Sequence, residues 1–149
     1  ELRAILKALR PVHLRHLGLV TGLKTLVFQF CERHPEVTVL IELPEEPVEL
    51  DGETELALYR IAQEGLNNVG RHANATRVDL TFRVGDGAAT LEIRDDGQGF
   101  EMPAKAIDLA RAGHFGVLGT MERADMHGGR VDLKSSPGEG TWLHVWMPI

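Results

Sequence analysis

The chain holds one cysteine, Cys31, so no internal disulfide can form and a reducing compartment is its simplest setting. Its apolar neighbours suggest a buried thiol. No apolar run reaches the roughly 20 residues that a membrane-spanning helix requires. A basic surplus is missing too: 16 Lys and Arg stand against 22 Asp and Glu, a net charge of −6. Nucleic acid, which needs a basic face, is therefore not an expected partner. A nucleotide stays open, because backbone N–H groups and a metal ion can hold its phosphates. Neither an initiator methionine nor a signal peptide is present, and ELRAILKALRP already carries helical spacing at Leu2, Ile5, Leu6 and Leu9. The expectation is a cytoplasmic piece of a longer protein, entered within or just after a helix, with a membrane anchor in the parent left open. At 149 residues and 43% apolar content the chain can form one domain with a real core.

Pro11 ends the first helical run. HLGLVTGLKTLVFQFCERH is a second, stopped by Pro35, and VTVLIEL (37–43) is rich in β-branched residues and reads as a strand. After the loop PEEPVELDGE, Asp51 or Thr54 is placed to cap a long helix. RVDLTFRV (77–84) and AATLEIRD (88–95) alternate as strands, joined by the turn GDG. A short helix near PAKAIDLARA follows, then a helix through GVLGTMERADM that ends at Gly128–Gly129. RVDLKSS and TWLHVWMP form a last hairpin across PGEG. The predicted fold is α+β, a two-layer sandwich of a mixed, mostly antiparallel sheet with helices on one face.

The long helix contains an oddity. Its apolar positions Leu56, Tyr59, Ile61, Leu66 and Val69 keep helical spacing, yet Gly65, Asn67, Asn68 and Gly70 sit among them. Glycine costs about 1 kcal/mol relative to alanine inside a helix. Glu64 and Asn68, at i and i+4, share one face, where a carboxylate beside an amide oxygen suits magnesium and water positioning. Arg71 and His72 lie a turn further on, suited to phosphate charge. Three glycine clusters follow: DDGQGF (95–100), GHFGVLG (113–119) and SSPGEGT (135–141). Each alone reads more readily as a plain turn or loop. In order, they read as a nucleotide site. Asp95 at a strand end, beside Gly97 and Gly99, offers a carboxylate to an exocyclic amine where a flat ring can approach the backbone. Gly116 and Gly119 lead into a helix N-terminus suited to phosphate. Close packing is the expected reason for Gly65 and Gly70.

The segments RIAQEGLNNVGRHANAT, IRDDGQGF, GHFGVLGTMERA and SSPGEGTWLHVWMP together resemble the ATP-binding catalytic domain of bacterial sensor histidine kinases. They are most similar to the subfamily partnered with LuxR-type response regulators, within the superfamily that includes gyrase and MutL. The likeness covers about residues 8–148. It implies a Bergerat-type ATP-binding fold over residues 12–149, with residues 1–11 as the end of an upstream dimerisation helix or connector. It implies ATP and Mg2+ as ligands, Glu64 as catalytic residue and Asn68 as magnesium ligand. Asn67, Arg71 and His72 fall on the phosphate side. Asp95 matches the adenine-recognising position, with Gly97, Gly99 and Phe100 shaping its pocket. Gly116, Val117, Leu118 and Gly119 lie below a lid at about residues 101–115, and Thr141 lies at the pocket wall. The implied partners are an upstream phosphoacceptor domain, a response regulator and a second copy of the parent.

The acceptor histidine of that family is followed by an acidic residue. Here the seven histidines are followed by Leu, Leu, Pro, Ala, Phe, Gly and Val, so the acceptor is expected elsewhere. An ATP-sensing module without phosphotransfer is the alternative, disfavoured by an intact Glu64 and Asn68. A gyrase-like machine is disfavoured by the short lid and helical connector.

Overall fold

Alternation of apolar and polar residues builds the sheet and chooses its inward face. In the computed structural model, which describes residues 12–105, 107–111 and 115–149, the elements run α1 (Val12–Arg33), β1 (Thr38–Glu42), α2 (Gly52–Asn68), a π-helical turn (Val69–Ala73), β2 (Arg77–Gly85), β3 (Ala88–Asp95), α3 (Ile107–Arg111), α4 (Phe115–Met126), β4 (Arg130–Ser135) and β5 (Thr141–Pro148). Residues 1–11, expected to be a helix end or connector, lie outside the described residues, as do the side chains of His13 and His16. The sheet order is β1-β2-β3-β5-β4. β1 pairs parallel with β2, and all other pairs are antiparallel. Val78, Leu80 and Phe82 of β2, Leu91 and Ile93 of β3, and Val145 and Met147 of β5 all turn inward. The helices cover that face with Leu23, Leu26 and Phe30 of α1, Leu58, Ile61 and Leu66 of α2, and Ala124 of α4, in one core. The predicted α+β sandwich is what forms. No described helix is long and apolar enough to cross a membrane.

Local signals set the ends of these elements. Asp51 caps α2, accepting from Thr54 N at 2.9 Å, while the Thr54 hydroxyl donates to its other oxygen. Asp86 (φ 55°) and Gly87 (φ 75°) make the two-residue turn between β2 and β3. α1 is broken at Gly18 (φ 80°), and Glu55 of α2 accepts from Leu19 N at 3.1 Å just past the break.

The glycines of α2 have separate reasons. The buried stripe Ala57, Leu58, Ile61, Ala62, Gly65, Leu66 follows i, i+3, i+4 spacing, so Gly65 faces the sheet. A Cβ there would lie 2.6 Å from Ile93 Cδ1 and 3.6 Å from Leu143 Cδ2, so its absence lets α2 settle onto β3 and β5. At Gly70 a Cβ would lie 2.6 Å from His34 Nε2.

Candidate functional site

Settling α2 onto Ile93 decides where the candidate residues meet. Ile93 and Asp95 are two apart on β3 and share the inward face, so Asp95 lies one step along the strand from Gly65. Glu64 precedes Gly65, and Asn68 lies one turn beyond it on α2. The approach of Gly65 to Ile93 thus brings the two groups of sequence-predicted residues to the same end of the α2–β3 contact.

At the sheet end Asp95 is only 7% exposed. Its carboxylate accepts from Gly97 N at 2.9 Å and also from the backbone N–H of Thr141, its cross-strand partner. Burial pushes the carboxyl above the ordinary aspartate range, and these two N–H groups pull partly against that. The loop after β3 folds back onto the β4–β5 connection. Gly99 (φ 61°) passes so close to Ser136 O and Gly140 O that no side chain fits there. Gly140 (φ 75°) lies as closely against Asp95 O. Phe100 N donates to Ser135 Oγ at 2.8 Å, and that hydroxyl lies within hydrogen-bond distance of Gly140 O and of Thr141 Oγ1. Gly138 N donates to Gln98 O at 2.6 Å. The PGEG stretch is therefore both the expected turn and the clamp that shapes the Asp95 pocket. Gly140→Ala is expected to destabilise the fold by about 2–5 kcal/mol, from about 1–2 for a left-handed backbone and about 1–3 for overpacking against Asp95 O. A shifted urea midpoint with unchanged slope would show it, and an unshifted one would refute the clamp.

Asp96, the second acid of DDGQGF, ties this end to the exit of α2. Its carboxylate accepts from Thr76 N at 2.8 Å, from Arg77 N at 2.9 Å and from the Thr76 hydroxyl. The Thr76 hydroxyl and the Arg77 N–H hold its carboxyl below the usual range. A second acid beside the first was the available signal, but its partners lie in another segment.

On the helical side Arg71 Nη2 lies 3.0 Å from Glu64 Oε1. Arg71 Nε also donates to Asn67 O at 3.4 Å. Asn67 and Asn68 are half-buried. α4 begins at Phe115, so Gly116 lies in its first turn and Gly119 inside the helix, not in a loop before it. Gly116 abuts Glu64 so closely that a Cβ would collide with the carboxylate, whereas a Cβ at Gly119 would meet nothing. Val117 is buried and Leu118 half-buried. Glu64 is thus held between a guanidinium and the first turn of a helix, whose free N–H groups suit an anion. His72 is in the π-turn, but its side chain lies outside the described residues. Of the expected lid, residue 106 and residues 112–114 lie outside them too; 101–105 form no helix or strand, and α3 anchors the rest through buried Leu109.

An open trough of about 680 Å³ lies on the outer sheet face, lined by Arg77, Asp79, Glu92, Arg94, Lys134 and Trp142 among others. It backs onto the same strand ends, but those side chains alternate with the buried ones and face away from α2. Three of its charges are engaged within the face, Arg77 with Asp79 and Glu92 with Trp142 Nε1.

Comparison with known proteins places this geometry. Residues 53–149 match the family of histidine kinase-, DNA gyrase B- and HSP90-like ATPases. Over 149 residues, 100% of the chain, it is 35% identical to the sensor histidine kinase LiaS of Bacillus subtilis, covering 39% of that protein. It is 32% identical, again over its full length, to the histidine-protein kinase/phosphatase DegS of Brevibacillus brevis, covering 37%. The chain thus spans about two fifths of the length of these curated relatives. The histidine kinase domain of the Erythrobacter litoralis EL346 blue-light activated kinase shares the fold with a TM-score of 0.72 at 20% identity, over 87% of this chain and 60% of that one. The chain belongs to the histidine kinase-, DNA gyrase B- and HSP90-like ATPase family, as an ATP-binding catalytic domain of the sensor histidine kinase kind.

Proposed function

We propose that this chain binds Mg-ATP in the cleft between α2, α4 and the Asp95 end of the sheet, and presents the γ-phosphate to a histidine carried by another segment. The observation that carries this is the pairing of two unlike ends across the α2–sheet contact: a buried carboxylate at one, and a carboxylate–guanidinium pair beside a helix N-terminus at the other. Asp95 accepts from the exocyclic amine of adenine. Arg71 and the first turn of α4 face the phosphates, and Glu64 is placed to take or orient the proton of the attacking imidazole.

The residues present fit a magnesium ion that arrives with the nucleotide. Among the described residues no group of three His, Cys, Asp or Glu could hold a metal alone. Asn68 offers one amide oxygen, and Glu64 is engaged by Arg71. Magnesium commonly takes one or two protein oxygens, with phosphate and water completing its shell. When bound it would neutralise phosphate charge, and positioning supplies the rest.

Residues 1–11 are proposed as the end of the helix that delivers the acceptor. In the whole protein, a homodimer in this proposal, the phosphorylated histidine would serve a response regulator, of the LuxR type on the resemblance of the motifs. Incubated with γ-labelled ATP, the chain should bind nucleotide yet stay unlabelled, while a form extended upstream gains acid-labile label. Stoichiometric acid-labile label on the chain itself would show that one of its own seven histidines is the acceptor. An extended form that binds ATP without label would leave an ATP-sensing module.

A further inference from the structure

We propose that His34, outside every nucleotide motif, is a positioning residue for the phosphate side of the cleft: its imidazole fills the space left by Gly70 and holds the π-turn that aims Arg71 at Glu64.

His34 closes α1, its N–H donating to Phe30 O at 2.9 Å and its carbonyl accepting from Val37 N at 3.0 Å. The ring sits on that of Phe30, with centroids 4.7 Å apart, and Phe30 is fixed in the core at 1% exposure. Nδ1 lies 3.5 Å from Glu36 Oε1. The opposite side of the ring meets Gly70, where a Cβ would lie 2.6 Å from Nε2, 3.2 Å from Cε1 and 3.4 Å from Cδ2. One volume is therefore shared by the imidazole and a missing methyl group. Protein interiors leave few such gaps unfilled.

The turn it supports is unusual. Val69–Ala73 is π-helical, leaving through Asn74 in the left-handed region (φ 49°). Wide turns of this kind are rare and concentrate at functional sites. Arg71 is the next residue after Gly70, and its guanidinium reaches back seven residues to Glu64. A shift of Gly70 shifts Arg71 with it. The three atoms nearest to a Cβ at Gly70 all belong to His34.

The inference rests on Arg71 as a phosphate contact. It is tested with Gly70→Ala, His34→Ala and the double substitution, measuring Mg-ATP by calorimetry, adenosine by competition, and thermal melting in parallel. Each single change is expected to weaken Mg-ATP about threefold to tenfold. Adenosine, which makes no phosphate contact, should bind as before. The double variant should recover Mg-ATP affinity to within about twofold, because the new methyl occupies what the imidazole vacates. If Gly70→Ala does not fold, His34→Ala and the double variant still decide. Unchanged Mg-ATP affinity in the singles, additive losses in the double, or an equal loss of adenosine would each overturn the inference. Wild-type chain that binds no Mg-ATP would overturn the nucleotide reading and this inference together.

Discussion

Asp95→Asn is expected to weaken ATP binding about tenfold to a hundredfold and to narrow the preference for ATP over GTP. The carboxylate is 7% exposed and held by the N–H groups of Gly97 and Thr141, so it is fixed and largely stripped of water before a ligand arrives. A hydrogen bond to such a charged group is worth about 1.5–3 kcal/mol, which gives that range of affinity. The nucleobase preference follows from polarity. Adenine offers an amine where guanine offers a carbonyl, and a carboxylate accepts from the first and repels the second. An asparagine amide can serve either. pH gives an independent check. Burial raises the Asp95 carboxyl in the folded protein, so folding disfavours its charged form relative to the unfolded chain: its contribution to stability is present below the unfolded value and is lost as pH rises through the raised folded value. Adenine binding needs the charged form. ATP affinity should therefore fall, on acidification, at a higher pH than an ordinary aspartate would give, and Asp95→Asn should remove that component. Calorimetry showing unchanged ATP affinity in the variant would remove Asp95 from the adenine site.

Why the Asp95 end of the proposed site was legible in the sequence and the Glu64–Arg71 end less so is a matter of range. The alternation in RVDLTFRV and AATLEIRD, a helix cap at Asp51 (one of the two candidates) and the GDG turn are local signals, and all three formed. DDGQG announced Asp95 because a carboxylate followed by glycines at a strand end is itself local. The reason for Gly65 is not: it depends on Ile93 and Leu143, which reach it only once the sheet exists. The parallel pairing of β1 with β2 is likewise a product of packing, since VTVLIEL carries no sign of its neighbour. PGEG reads as a turn from its glycines, but that Gly140 must press against Asp95 O is set by the β3–β5 register. The π-turn escapes for another reason. Nothing in VGRHA separates a wide turn from an ordinary one, and its support comes from His34, at the end of a different helix. Asp96 shows the same limit, for its carboxylate is satisfied by Thr76 and Arg77 from the start of β2.

Glu64 and Asn68 share a helix face but should fail differently. Asn68→Ala is expected to remove most of the magnesium-dependent part of ATP affinity, about tenfold to a hundredfold, the range by which metal sites respond to loss of a supporting group. Asn68 is half-buried at the end of α2, so the truncation leaves the core intact. Binding measured with EDTA should barely change, which separates a metal role from a structural one. Glu64→Gln keeps the shape of the side chain and the space beside Gly116, so nucleotide should bind within about twofold of wild type, the loss being confined to an ion pair with an Arg71 side chain 58% exposed. Exposed pairs of this kind contribute about 0–1 kcal/mol. Phosphotransfer in the upstream-extended protein should fall further, by about a hundredfold to ten-thousandfold if the carboxylate acts as a general base. A smaller loss, with the pH profile of transfer unchanged, would mean that Glu64 serves to hold Arg71 and that the imidazole needs no base. In that case Arg71→Ala should reproduce the defect, whereas a true base leaves Arg71→Ala with weakened ATP binding and a normal pH dependence of the transfer step. If Asn68→Ala binds Mg-ATP as tightly as wild type and Glu64→Gln transfers phosphate at the normal rate, both assignments on α2 are wrong.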